Sequence, residues 1–180
     1  LDETIKIDDS EEVSNIFTLW SPDNKEAIQG IYNNEKKAYK HVNLETGAVS
    51  ELNKNIRSVS WSTAGDKIAY LYYDPVSGFT INTSEPNGLD WENIELQDIS
   101  TKFSIDVNYT LKWSPDDRRI FIYSDFSLFN EELNNIVLVD ISLQEYEEIS
   151  FEDKSIVGGA WSPDSQSILM QVLDEKLFSG

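Results

Sequence analysis

Four Trp-Ser pairs divide this chain into units of similar length. Three belong to complete Trp-Ser-Pro-Asp turns, at Trp20 to Asp23, Trp113 to Asp116 and Trp161 to Asp164. The fourth, Trp61-Ser62-Thr63-Ala64-Gly65-Asp66, has lost the proline. The tryptophans are spaced 41, 52 and 48 residues apart, and an apolar run follows each pair, such as Ile68 to Leu71 or Ile120 to Tyr123. One strand-turn-strand signature per 40 to 50 residues is the mark of a repeat built from small antiparallel sheets. Four of the five tryptophans occupy this one position.

The local chemistry explains the turn. Proline presets φ at the first central position, and a short acidic side chain after it caps nearby amides. In the degraded copy Gly65 is free to take positive φ. The strand after the turn is apolar at consecutive positions, which a strand covered on both faces requires. A large indole then fills the wedge between neighbouring sheets. The rest of each unit reads as two more strands. They are Ala38–Leu44 and Val49–Leu52 in the first, Phe79–Ser84 and Trp91–Leu96 in the second, and Ile136–Ile141 and Tyr146–Phe151 in the third.

An all-β fold follows, a β-propeller of four-stranded antiparallel blades. That period suits a propeller better than a flat β-solenoid or a sandwich. Expected blades span about 14–53, 56–97, 108–152 and 156–180, the last only half a blade. Residues 1–8 either close the ring or end a preceding blade. Three blades and a half predict a partial propeller, a piece of a longer one, since propellers commonly have four to eight blades.

The Trp-Ser-Pro-Asp turn and its Ile-rich following strand resemble the repeat of the TolB-like, or WD-like, β-propellers. The same turn recurs in propeller domains of the prolyl oligopeptidase and dipeptidyl peptidase family. The likeness runs from about Ser14 to the C-terminus. It implies a non-catalytic protein- or peptide-binding module in an exported or envelope-associated protein: periplasmic, cell-surface or extracellular. The alternative it implies is the propeller portion of a serine hydrolase whose catalytic domain lies outside this chain. A glycan- or ligand-sensing propeller is a third possibility, supported only by exposed aromatics.

Composition narrows the chemistry. The formal charge is −19, from 33 acidic and 14 basic residues, which argues against nucleic acid or anionic membrane as partner and favours a basic one. No stretch of 18 apolar residues is present, so no membrane insertion is expected. Without cysteine there are no disulfides, zinc thiolates or thiol nucleophiles. His41 is the only histidine, and no Gly-x-Ser-x-Gly turn occurs, so a hydrolase triad cannot be assembled. No phosphate loop or zinc cluster exists either, and no cofactor is expected.

Paired acids such as Asp116-Asp117, Glu131-Glu132 and Glu147-Glu148 lack the spacing of a calcium loop, although blades together could still build one. Dipeptidyl peptidase propellers hold substrate amines with paired glutamates. Here the flanks Phe129-Asn130 and Leu133 do not reproduce that loop, so the role is not carried over. Asp23, Asp116 and Asp164 read as turn-capping residues. Asn82-Thr83-Ser84 and Asn108-Tyr109-Thr110 fit the glycosylation pattern.

In an up-and-down blade, the first-to-second and third-to-fourth turns share one end. Here they are short. The second-to-third loops and inter-blade links share the other end, and they include the long segments 74–78, 97–108 and 125–134. Long loops tolerate variation and carry binding. The candidate partner site is therefore Asp125, Phe126, Phe129, Glu131 and Glu132, with Lys102 and Phe103 beside them.

Overall fold

The computed structural model describes residues 14–33, 36–124, 135–151 and 154–174. All regular structure there is β except one short 3-10 turn at Ile99–Lys102. β1 (Ser14–Trp20), β2 (Glu26–Asn33), β3 (Lys36–Asn43) and β4 (Val49–Glu51) form one antiparallel meander in sequence order. A second contains β5 (Ile56–Trp61), β6 (Ile68–Asp74), β7 (Gly78–Ser84) and β8 (Glu92–Ile94). A third contains β9 (Tyr109–Trp113), β10 (Arg119–Ser124), β11 (Asn135–Asp140) and β12 (Glu145–Ser150). β13 (Lys154–Trp161) and β14 (Ile168–Asp174) pair as a two-stranded sheet. These are the blades of an incomplete propeller. Strand ends match the sequence expectation within a residue or two, save that β8 is shorter and leaves Trp91 in the preceding turn. The Leu1–Asp8 strand lies outside the described residues.

Register repeats as faithfully as sequence. Trp20, Trp61, Trp113 and Trp161 each close their inner strand opposite Ala27, Ile68, Ile120 and Ile168. Three inner strands carry a bulge ending three residues before the tryptophan, at Phe17, Ser58 and Gly158. A bulge adds local twist, which helps each blade splay from its neighbour.

Apolar material lies between blades, in three seams. Ile28 and Tyr39 of the first blade meet Val59, Trp61, Ile68 and Tyr70 of the second. Leu71, Phe79 and Ile81 meet Leu111, Ile120 and Ile122 of the third. Phe121, Tyr123 and Ile136 meet Ile156, flanked by Trp161 and Met170. Serving two seams at once makes β6 and β10 apolar at consecutive positions. Among the described residues β14 serves one, and its Leu169 is 78% exposed.

The tryptophans act as expected in part. The Trp61 indole is 9% exposed and donates from Nε1 to Leu19 O of the preceding blade at 3.0 Å. Trp161 makes the equivalent bond to Lys112 O at 3.2 Å. Trp113 Nε1 is buried without any partner. Trp20 corrects the expectation of a filled wedge: it is 55% exposed, because no described blade precedes its own. A shared sequence position guarantees the strand and the turn, but burial needs a neighbouring sheet.

Candidate functional site

The two ends of the blades differ in how tightly they are held. At the turn end, each Trp-Ser pair builds the same small network around its serine. Ser21, Ser62 and Ser114 are buried. In every copy the serine Oγ accepts a backbone N–H five residues on, from Glu26, Lys67, Arg119 or Ser167. The same hydroxyl donates to a carboxylate: Asp23 at 2.7 Å, Asp116 at 2.5 Å and Asp164 at 2.6 Å. In the copy without proline, Asp66 takes over at 3.1 Å. The fourth residue after each tryptophan is left-handed: Asn24, Gly65, Asp117 and Ser165, with φ of 60°, 79°, 56° and 60°. Asparagine, glycine and aspartate tolerate that region better than most residues.

These hydrogen bonds hold the carboxyls of Asp23, Asp116 and Asp164 below the ordinary 3.8. The serine hydroxyl is the largest cause in each. A depressed carboxyl contributes stability that is present above its unfolded range and is lost as pH falls through the folded value. Wild type should therefore lose thermal midpoint below about pH 4. A variant combining Asp23→Asn, Asp116→Asn and Asp164→Asn should follow a flatter profile there. Parallel profiles from pH 6 to pH 3 would refute this role for the three turns.

Neighbouring turns are also joined to one another. Asp117 accepts from Thr63 N at 2.6 Å and Ala64 N at 3.2 Å, across 54 and 53 residues of sequence. The proline missing at position 63 is what frees that first donor. Ser165 Oγ accepts from Asp116 N at 3.0 Å, and Ser165 O accepts from the Arg119 guanidinium. A Cβ added to Gly65 would lie 3.1 Å from Pro22 Cδ. The turn end is thus a laced rim with little freedom for exchange of residues.

At the opposite end, residues 95–108 link the second and third blades. Phe103 is half-buried, with ring centroids 5.6 Å from Phe79 and 5.0 Å from Tyr109. Lys102 Nζ pairs with Glu148 Oε2 at 2.7 Å. Ser100 Oγ accepts from Phe79 N at 3.0 Å, and Tyr109 Oη accepts from Ser104 N at 2.8 Å. The link is anchored from beneath while Ile105 and Asp106 stay exposed. Asp125, Phe126, Phe129, Glu131 and Glu132 lie outside the described residues, in the connection between β10 and β11.

Between the ends, inner strands β1, β5 and β9 line a groove of about 800 Å³, whose walls include Thr18, Ser60, Thr110, Lys112 and the aromatics Phe17, Trp20, Tyr109 and Trp113. Lys112 Nζ donates to Gly159 O at 2.6 Å, so its charge is tied towards the fourth blade. His41 is buried in the first seam. Its Nε2 lies 3.0 Å from Glu26 Oε2, and its ring centroid 6.3 Å from Trp61. Asn43 Nδ2 donates to the other Glu26 oxygen at 2.8 Å. Among the described residues no group of three His, Asp or Glu is arranged to hold a metal ion, and no helix is long and apolar enough to cross a membrane. The sequence signal for these serine hubs is the persistence of serine in all four copies where proline is lost from one.

No protein-family model matches this chain. No curated protein matches it either. Solved structures do. TolB from Acinetobacter baumannii superposes with a TM-score of 0.59 at 16% identity, over 88% of this chain and 37% of that one. The β-propeller domain of the Trilobed protease from Pyrococcus furiosus gives 0.52 at 18% identity, over 78% and 43%. Pyrococcus horikoshii acylaminoacyl peptidase gives 0.56 at 16% identity, over 81% and 26%. The fold is that of the TolB-like β-propellers, the architecture TolB shares with peptidase propeller domains. This chain spans less than half the length of each of those three structures.

Proposed function

We propose that this chain is a non-catalytic propeller module that binds a protein or peptide at its long-loop end, within an exported or envelope-associated protein. The asymmetry between the ends carries the reading. The turn end is laced by Asp117, Asp116 and Ser165, whereas segment 97–108 and the ends of β10 and β11 that segment 125–134 joins lie opposite, where sequence can vary without disturbing strand pairing. On this reading the sequence of the connection supplies acidic charge in Asp125, Glu131 and Glu132 and apolar anchors in Phe126 and Phe129, and Lys102 and Phe103 of the anchored link complete the site. A basic partner fits that chemistry, and its binding weakens as salt screens the charges. The likeness to TolB supports the envelope setting. The likeness to acylaminoacyl peptidase supports a second reading, the propeller of a serine hydrolase. A Gly-x-Ser-x-Gly turn followed by Asp and His in sequence beyond Gly180 would decide for it.

The test uses the chain as bait for a displayed library of random peptides. Selected peptides should be net basic and should release with salt. Glu131→Lys with Glu132→Lys should cost them at least about tenfold in affinity. Glu145→Lys, an exposed change at the turn end, should leave binding intact. Loss in the Glu145 variant with indifference to Glu131 and Glu132 would put the site at the other end. Failure to select any peptide would reject the binding reading.

A further inference from the structure

We infer that the second blade carries a binding cleft for a neutral saccharide, running along the blade from Asp74 and Ser77 of the 74–78 loop to Trp91, and distinct from the proposed partner segments 97–108 and 125–134. The cleft holds about 380 Å³ on the outer half of the blade, between β6, β7 and β8 and beside the linker that precedes β5. That volume suits a mono- or disaccharide and lies within the range of small-ligand sites. Its floor is Asn82, only 4% exposed. Asn82 Nδ2 donates to Thr80 Oγ1 at 3.2 Å, but Asn82 Oδ1 is sealed from solvent with no hydrogen-bond partner. Nearly all buried acceptors in folded proteins find a donor, so an orphaned one on a residue that lines a cleft marks where a turn of the Asn82 amide towards the cleft would present it to a ligand hydroxyl. Burial also removes Asn82 as a glycosylation acceptor, despite the Asn82-Thr83-Ser84 pattern.

The remaining lining narrows the ligand class. Trp91 stands at the rim, 64% exposed, although the other tryptophans of the second and third blades are packed into seams. An indole left in water beside a polar cleft offers a flat face to the axial C–H groups of a pyranose. Asn53 and Asn93 add amides that both donate and accept, as sugar hydroxyls require. Tyr72 is braced from behind, its Oη accepting from Asn55 Nδ2 at 3.3 Å. No Lys, Arg or His lines the cleft, so an anionic ligand has nothing to pair with and a chain of −19 to overcome. The one carboxylate, Asp74, is an unsuitable cation trap. Its Oδ1 already accepts from Val76 N at 2.8 Å, Ser77 N at 2.9 Å and Ser77 Oγ at 3.2 Å. A wall of amides and hydroxyls likewise disfavours a purely apolar guest. An aromatic plate beside uncharged donors and acceptors is left, the recognition set of a neutral sugar.

The experiment is saturation-transfer NMR followed by calorimetry on the purified chain. The probes are maltose, cellobiose, chitobiose and digalacturonate, each at about 10 mM so that even a millimolar site is filled. At least one neutral disaccharide should bind, and digalacturonate should not. Trp91→Ala should weaken that binding at least about tenfold without moving the thermal midpoint appreciably, since the indole is mostly in water. Asn82→Leu should abolish binding while leaving a folded chain, because it removes an acceptor that has no partner. Binding of none of the three neutral sugars would overturn the inference. So would binding of digalacturonate alone, or binding that survives both substitutions. Should Asn82→Leu fail to fold, Trp91→Ala alone decides.

Discussion

Trp61→Ala should destabilise the chain by roughly 3–5 kcal/mol, the cost of emptying a large aromatic site, while Trp91→Ala and Trp20→Ala should each cost far less. The indole of Trp61 is packed by Ile28, Tyr39, Val59, Ile68 and Tyr70 from two blades, so its loss opens a cavity that neither sheet can close alone. Trp91 and Trp20 are more than half exposed and leave no such void. Trp113, packed at the edge of the second seam, should follow Trp61 in the alanine series. Phenylalanine separates the two further. Trp61→Phe keeps most of the packing but leaves Leu19 O without its donor, at about 1–2 kcal/mol. Trp113→Phe deletes a buried donor that has no acceptor, and should cost less than Trp61→Phe. Urea midpoints for the six variants provide the measurement. Equal shifts for Trp61→Ala and Trp91→Ala would reject the seam as the seat of stability.

What could be read from sequence follows the range of the interactions involved. Turn and strand are local. Trp-Ser-Pro-Asp marks the reversal, and the apolar run after it marks a strand with two covered faces, so blades and strand ends were legible even where proline is lost. The serine network is local too, and its signal was present in the persistence of Ser21, Ser62, Ser114 and Ser162. The Asp117 link to Thr63 and Ala64 is not local. It depends on two turns meeting across more than 50 residues, and only the exposed N–H of a non-proline at position 63 hints at a partner. Burial of the tryptophans is likewise a property of the neighbouring sheet, which is why Trp20 and Trp61 share a motif and differ sixfold in exposure. For the cleft, β7 did carry a pattern. Thr80, Asn82 and Ser84 alternate with Phe79, Ile81 and Thr83, a polar face on a strand flanked on both sides by partners. Alternation of that kind in a strand paired on both sides gathers its polar groups on one face of the sheet.

Phe121→Ala should be the most damaging single change in the third seam, at roughly 3–5 kcal/mol, and should release the fourth sheet before the others. Phe121 is fully buried, stacked on Tyr123 at 5.7 Å and tilted against Trp161 at 5.5 Å between ring centroids. Gly159 makes this approach possible, since a Cβ there would lie 3.0 Å from the Phe121 ring. Among the described residues the β13–β14 sheet has two strands, and an isolated hairpin is marginal in water. Its order therefore rests on the third blade: on the Phe121 seam, the Trp161 and Lys112 bonds, the Arg119 guanidinium 5.3 Å from the Trp161 ring, and the Ser165 contacts with Asp116 and Arg119. The polar members of that set are partly exposed and cannot hold the sheet once the ring between them is gone. Native-state hydrogen exchange should then show the amides of Ile168 to Leu173 opening at lower free energy than those of Ile68 to Leu71, which two seams protect. Wild type should show the same order with a narrower gap. A uniform loss of protection across all four sheets would mean that the blades unfold as one cooperative body, and that the third seam is no weaker than the first.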